Sequence, residues 1–94
     1  MDFEWDEIKN KSNIIKHKIS FEEAQYAFAD TKRVIAIDHK HSTNAEIRYF
    51  CYGMLDDRVI TVRFTYRAHK IRIFGAGYWR EGYEKYFKEK RKEN

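Results

Sequence analysis

The segment Arg58 to Phe74, RVITVRFTYRAHKIRIF, constrains the fold more than any other part of the chain. Side chains in a strand alternate between faces, so Ile60, Val62, Phe64 and Tyr66 fall on one side and Val59, Thr61, Arg63, Thr65 and Arg67 on the other. The next run alternates too, Ile71 and Ile73 against Arg72 and Phe74. With a turn at Ala68-His69, position 66 faces 71, 65 faces 72 and 64 faces 73, which puts both apolar rows on one side. A slip of one residue would set Arg63 beside Ile73, and that penalty selects the even register. Arg63 and Arg72 therefore share a surface, on a diagonal with Thr65 between them. One face of this hairpin builds a core, and the other is offered to an anion.

The rest of the chain supplies layers for that core. Trp5, Ile8, Ser12 and Ile15 recur at helical spacing behind an N-cap at Asp6, which predicts an amphipathic helix from Glu7 to His17. Ser20-Phe21-Glu22-Glu23 is a capping box opening a second helix, with Ile19 and Ala24 as its staple and Phe21, Ala24 and Phe28 as its buried stripe. After Asp30 the pattern changes to VIAID, a polar loop from His39 to Ala45, IRYFCYGM, and then the hairpin. Short turns between four such strands predict an antiparallel sheet. The last element, from about Trp79 to Lys90, carries Trp79, Tyr83, Tyr86 and Phe87 on one helical stripe, with Arg80, Lys85 and Lys88 elsewhere. The expected architecture is α+β in the order α-α-β-β-β-β-α, with helices packed on the sheet face that holds Phe64 and Ile73.

Ninety-four residues suit one domain, residues 1–94, with about 89–94 as a frayed charged tail. The chain has no proline, few glycines and no internal repeat, so no linker is expected. Cys51 is the only cysteine, which excludes an intramolecular disulfide; between Phe50 and Tyr52 it reads as a packed strand residue. The N-terminus MDFEWDEIKNK is too polar for a signal peptide and no apolar run approaches membrane-spanning length, so a cytoplasmic location is expected. A formal charge of +4 is common among small soluble domains. Combined with seven tyrosines, seven phenylalanines and two tryptophans, it also suits a partner with phosphates and bases.

The turn at Asp56-Asp57 would pair 54 with 59, 52 with 61, 50 with 63 and 48 with 65. Arg48, Thr65 and Arg72 then form a row across three strands, flanked by Arg63. Strand spacing of about 4.8 Å puts the Arg48 and Arg72 backbones roughly 10 Å apart. Two unit charges at that separation repel by about 0.4 kcal/mol in water and several-fold more at lower dielectric, which an anion would relieve. Phe50 and Phe74 on the same face could stack on a base, a contact of about 1 to 3 kcal/mol. The competing reading is that Glu22, Glu23 or Glu46 neutralises the arginines and the aromatics pack beneath a helix.

Other candidate chemistry is sparse. His39 and His41 have a short metal-binding spacing, but no second cluster completes a tetrahedral set, so an exposed loop and no metal site are expected. Lys16-His17 closes the first helix, where cations meet the helix dipole favourably. If that end borders the arginine face, His17 brings a side chain of a type that ordinarily titrates near neutral pH. No Gly-rich phosphate loop, nucleophile elbow or Cys-His pair is present.

The motifs as a set resemble the BrnT family, toxin halves of bacterial type II toxin-antitoxin pairs. The resemblance is carried by Phe3-Glu4-Trp5-Asp6, Asn13 followed by Lys16-His17, Ile19-Ser20-Phe21-Glu22-Glu23-Ala24 with Phe28 and Asp30, Arg48, Gly53, Thr65, Ile71-Arg72-Ile73 leading into Ala76, and Tyr86. It implies a RelE-like fold and a cofactor-free ribonuclease in which a ribose 2'-hydroxyl attacks its own phosphate while cationic side chains steady the charge. It also implies a hetero-oligomer with a DNA-binding antitoxin of the BrnA type. Arg48 and Arg72 match motif positions and are assigned, with His17 for proton transfer, to catalysis. Arg63, Lys16, Arg67, Phe50 and Phe74 are assigned to RNA binding. The chain departs from the family at one place: many members have Ser-Ala-Arg after the fourth strand, and here Gly75-Ala76-Gly77 stands before Tyr78-Trp79. A toxin that cuts RNA, a degenerate toxin fold serving as partner to a repressor, and a stand-alone nucleic-acid binder are the three functions this pattern admits.

Overall fold

The computed structural model describes residues 2–92. In chain order the elements are β1 (Asp2–Trp5), α1 (Glu7–His17), α2 (Phe21–Ala24) continued by a 3-10 turn (Gln25–Ala29), β2 (Val34–Ile37), β3 (Tyr49–Leu55), β4 (Arg58–Arg67), β5 (Lys70–Gly77) and α3 (Arg80–Lys92). The strands form one sheet in the order β1-β5-β4-β3-β2. The α+β plan stands, but the sheet has five strands rather than four. Asp2–Trp5 pairs parallel to β5, Phe3 opposite Ile71 and Trp5 opposite Ile73. Four residues of mixed polarity carry too little alternation to announce a strand, and the partner lies near the other end of the chain.

Both expected hairpin registers are present within the ladders, but Arg48, expected opposite Thr65, precedes β3 and is not paired with it, and the Thr65 hydroxyl donates to the Ile47 carbonyl instead. Tyr66 faces Ile71, Thr65 faces Arg72 and Phe64 faces Ile73; Met54 faces Val59, Tyr52 faces Thr61 and Phe50 faces Arg63. Ala68 and His69 both have positive φ, 51° and 65°, as a tight two-residue hairpin of the primed type requires. What alternation could not foresee is a bulge. Arg63 opposes Gly75 while Phe64 opposes Ile73, so Phe74 is an extra residue in β5, and the bulge brings Phe74 and Gly75 next to Arg63.

The main core lies where expected. Ile19, Phe21, Ala24 and Ala27 cover Cys51, Ile60, Val62, Phe64, Ile71, Ile73 and Ala76, with Phe3, Trp5 and Phe28 packed at its border. Each fully buried aliphatic or aromatic side chain of this set contributes about 1.5–3 kcal/mol. The capping box forms, the Glu23 amide donating to Ser20 Oγ at 3.0 Å and the Ser20 amide to Glu23 Oε1 at 3.0 Å. The 3-10 turn sits so close to β3 that a Cβ at Gly53 would collide with the Ala27 carbonyl.

Two helices are placed differently from the expectation. α1 has the predicted span, and Asp6 Oδ1 accepts the amides of Ile8 at 2.8 Å and Lys9 at 3.3 Å. Its buried side is not the Trp5, Ile8, Ser12, Ile15 stripe: Ile8 is 80% and Ile15 71% exposed, whereas Asn10 and Asn13 are buried. The reason is that α1 runs beside β5 where β1 has ended, and there the need is for hydrogen bonds. Asn13 Oδ1 accepts the Ala76 amide at 3.2 Å, and its Nδ2 donates to the carbonyls of Ala76 at 3.0 Å and Ile19 at 2.9 Å. The carboxamide thus continues the ladder in place of β1, since a buried unpaired backbone group would cost about 1–3 kcal/mol. Asn10 Oδ1 accepts the Phe21 amide at 2.8 Å and sets the start of α2.

α3 packs on the arginine face, not on the face of Phe64 and Ile73. Tyr86 is buried with Tyr52 and Val59, bordered by Val34, Ala36, Phe50, Met54 and Phe87. Near the Asp56-Asp57 turn this face is apolar, and it needs a cover as much as the other does. Gly82 makes the contact possible, because a Cβ there would collide with Thr61 Oγ1. The Tyr86 hydroxyl donates to Asp30 Oδ2 at 2.5 Å, and the same oxygen accepts the Met54 amide at 2.9 Å. Residues 89–92, expected to fray, continue the helix; the end of the expected tail, residues 93 and 94, lies outside the described residues. Among the described residues no helix is long and apolar enough to cross a membrane.

Candidate functional site

α3 covers only part of its sheet face. Beside it, between α1 and the strands, lies an open groove of ≈ 220 Å³. α1 contributes Lys9, Ser12, Asn13, Lys16 and His17, the sheet contributes Arg63, Phe74 and Gly75, and the link into α3 contributes Trp79. Positions 9, 12, 13, 16 and 17 are one face of a helix, so the turn of α1 that pairs Asn13 with β5 also aims two lysines and a histidine over the strands. No carboxylate lines the groove among the described residues.

The arginines differ in their ties. Arg63 makes no side-chain hydrogen bond or ion pair among the described residues, although it is half-buried. Arg48 lies with its guanidinium carbon 4.2 Å from the Phe74 ring centroid and donates from Nε to Glu46 Oε1 at 3.3 Å. Arg72 donates from Nη1 to Glu4 Oε2 at 3.2 Å. Of the three acids considered as neutralising partners, only Glu46 acts so: Glu22 accepts from Asn10, and Glu23 closes the capping box. Glu4 became a partner only because β1 pairs beside Arg72.

Arg67 is not brought to the groove. Its Nη2 donates to Glu46 Oε2 at 2.7 Å, and it lines a separate hollow with Glu46, Ile47 and Tyr66. That hydrogen bond, foremost, holds the Glu46 carboxyl below the usual carboxylate range; partial burial opposes it, and the charges of Arg67 and Arg48 add to it. Phe50 is not in the groove either. It stacks on Tyr52 with ring centroids 5.7 Å apart and packs under α3. Phe74 does line the groove, with Lys9 Nζ 5.6 Å from its centroid as well as Arg48. His17 sits at the C-terminal end of α1 with its ring 5.2 Å from the Trp79 ring, nearly perpendicular to it.

Lys9, Ser12 and Trp79 were not foreseen as site residues. The sequence signal for the first two is the polar i, i+3, i+7 row Lys9, Ser12, Lys16, which competes with the isoleucines in setting the phase of the helix. Trp79 explains the departure at Gly77: a Cβ at Gly77 would lie 2.5 Å from Trp79 Cε2, so the indole occupies the direction in which a side chain at 77 would point.

Elsewhere, burial pushes the Cys51 thiol up to about 12, with Arg33 opposing and Asp30 reinforcing the shift, so it is no nucleophile near neutral pH. His41 Nδ1 lies 2.8 Å from Asp38 Oδ2 in an exposed loop, and no group of three or more His, Cys, Asp or Glu among the described residues is placed to hold a metal ion. The groove therefore joins several cationic donors, one imidazole and two aromatic surfaces, a set that fits a phosphodiester and its neighbouring base.

A family model described as "Ribonuclease toxin, BrnT, of type II toxin-antitoxin system" matches residues 5–82, a span that contains every residue lining the groove. No curated protein matches the chain.

Proposed function

The chain belongs to the BrnT family of ribonuclease toxins from type II toxin-antitoxin systems, and from that premise we propose that it is a metal-independent endoribonuclease of RelE-like fold. It cuts RNA in the groove between α1 and β5, inhibits translation in the cytoplasm, and is neutralised in a hetero-oligomer with a DNA-binding antitoxin of the BrnA type. In the reaction the 2'-oxygen of a ribose attacks the adjacent phosphorus, a 2',3'-cyclic phosphate forms, and the bond to the 5'-oxygen breaks. One proton leaves the 2'-hydroxyl and one reaches the 5'-oxygen.

The observation that carries this reading is the Arg63 guanidinium, without an ion-pair partner and in a groove without carboxylates among the described residues. Arg63 and Lys16 meet the non-bridging oxygens, and a preorganised donor of this kind contributes about 3 kcal/mol to the transition state. Arg48 and Arg72 each spend one donor on a glutamate, and a guanidinium has five, so both retain donors for phosphate. His17 transfers the proton, and Phe74 offers a face to a base. Purified protein freed of antitoxin is expected to cleave single-stranded RNA to products ending in cyclic phosphate. Arg63→Ala should slow cleavage by about 100-fold. Equal rates for a folded Arg63→Ala protein would remove Arg63 from the mechanism.

A second reading is favoured by one observation. Trp79 fills the space beside Gly77, where many family members carry arginine, and Arg48 and Arg72 already face carboxylates. On this reading the protein is a catalytically weak partner of a repressor, and the antitoxin-free protein leaves RNA intact at all concentrations tested.

A further inference from the structure

Trp79 is a wall shared by two hollows. Besides the groove, it borders a second hollow of ≈ 570 Å³ at the end of the sheet, where β4 begins and β5 passes into α3. Arg58, Tyr78, Arg80 and Tyr83 line it together with two carboxylates, Asp57 and Glu84. The Arg58 guanidinium carbon lies 3.5 Å from the Tyr78 ring centroid. Stacking fixes the plane of the guanidinium and leaves its edge, with all its donors, free for an anion. Neither Arg58 nor Arg80 makes a side-chain hydrogen bond or ion pair among the described residues. Tyr83 is 56% exposed, whereas Tyr86 on the same helix is buried.

The same pairing, an arginine lying on an aromatic ring, thus occurs on both sides of Trp79: Arg48 on Phe74 at the groove, and Arg58 on Tyr78 beyond it. At about 3.4 Å per residue along β4, the Arg58 and Arg63 backbones are roughly 17 Å apart. Only a strand of several nucleotides could touch both. We infer that the hollow of Arg58, Tyr78, Trp79, Arg80 and Tyr83 is a second subsite for single-stranded RNA, holding a nucleotide distant from the cleaved phosphate. It takes that nucleotide's own phosphate on Arg58 and Arg80 and its base against Tyr83 or Trp79. The inference rests on the proposed function to the extent that the groove holds the same RNA strand. The two lining carboxylates, Asp57 and Glu84, give the subsite a sign that can be tested, since they repel the same phosphate that the arginines attract.

The test is a binding titration with fluorescently labelled RNA whose riboses are all 2'-O-methylated, so that cleavage cannot occur. Three- and ten-nucleotide oligomers are compared at several salt concentrations. Tyr83→Ala should weaken the ten-mer about 10-fold and leave the three-mer unchanged. Arg58→Gln should reduce the salt slope for the ten-mer by about 0.7, and Glu84→Gln should tighten its binding. Circular dichroism and thermal melting confirm that each variant is folded. Unchanged ten-mer affinity in both Tyr83→Ala and Arg58→Gln overturns the subsite, as does an equal loss on both oligomers. So does a loss confined to binding of the antitoxin, which would mark the hollow as a protein contact. Wild-type protein that binds the ten-mer in this manner but cuts no unmodified RNA refutes the nuclease reading and leaves the subsite standing.

Discussion

One face of the sheet has two halves built from the same strands and put to opposite uses. In the half under α3, β4 presents Val59 and Thr61 and β3 presents Tyr52, all buried, with Gly82 and Tyr86 of the helix pressed onto them. A few residues further along β4, Arg63 faces the groove beside α1 with no ion partner among the described residues. The difference is one of desolvation. Covering Val59 and Tyr52 removes apolar surface from water, whereas covering Arg63 would bury an unpaired charge at a cost of several kcal/mol. The cover ends where the charge begins, and Trp79 stands at the boundary between them.

If the halves are as different as this, substitutions in one should act on stability and in the other on RNA. The largest effect is expected from Gly82→Val, which puts a branched side chain where Thr61 Oγ1 lies and should cost about 3 kcal/mol of unfolding free energy, measured by urea denaturation. Arg63→Ala, expected to cost about 100-fold in cleavage, should move stability by less than about 0.5 kcal/mol. A large stability loss there would show that the groove is part of the core after all.

High pH should strike the buried parts of the sheet, Cys51 in the main core and Tyr52 under α3, and not the groove. Burial raises the Cys51 thiol from 9.0 to about 12 and, aided by Glu81 and Asp38, the Tyr52 phenol from 10.0 to about 12. For groups raised in the folded state, the stabilisation is fully present below the unfolded values and is lost as pH climbs from about 9 towards 12. Unfolding free energy should fall by about 2 kcal/mol between pH 8 and 10.5, and Cys51→Ala should flatten much of that slope.

Smaller effects refine the contrast. Tyr86→Phe removes a hydroxyl donating to the Asp30 carboxylate and should lower stability by about 1.5 kcal/mol without altering RNA affinity. Glu46→Gln is expected to change stability by well under 1 kcal/mol, because its ion pairs with Arg48 and Arg67 are partly exposed. The depressed Glu46 carboxyl contributes above its ordinary value of 4.5 and loses that contribution as pH falls through the folded value. The same substitution loosens Arg48, so RNA binding at low salt should tighten measurably in a filter-binding assay.

Much of the fold was legible because local signals agreed. Asp6 and Ser20 marked two helix starts, and alternation through Arg58–Phe74 set two registers that the sheet retains. The site was legible in part: Arg63, Lys16, His17 and Phe74 meet in one groove, while Arg67 and Phe50 turn elsewhere. Lys9 and Trp79 were missed, the first because isoleucines at helical spacing outweighed a polar row on the same helix. Hydrophobic period indicates a buried side only when burial of apolar area decides how a helix lies. α1 is oriented instead by two asparagines that satisfy backbone groups, and Ile8 and Ile15 are left in water.

The sequence by itself determined which residues alternate, where helices begin, and that arginines and oils part onto two faces of a hairpin, because these depend on neighbours a few positions apart. Only the tertiary structure decided that β1 joins the sheet beside β5, that α3 covers part of the arginine face, and that Arg63, unlike Arg48 and Arg72, has no ion-pair partner among the described residues. Those outcomes depend on which distant groups compete for the same backbone edge, apolar surface or carboxylate. Glu4 meets Arg72, and Trp79 fills the space beside Gly77, only after the whole chain has closed.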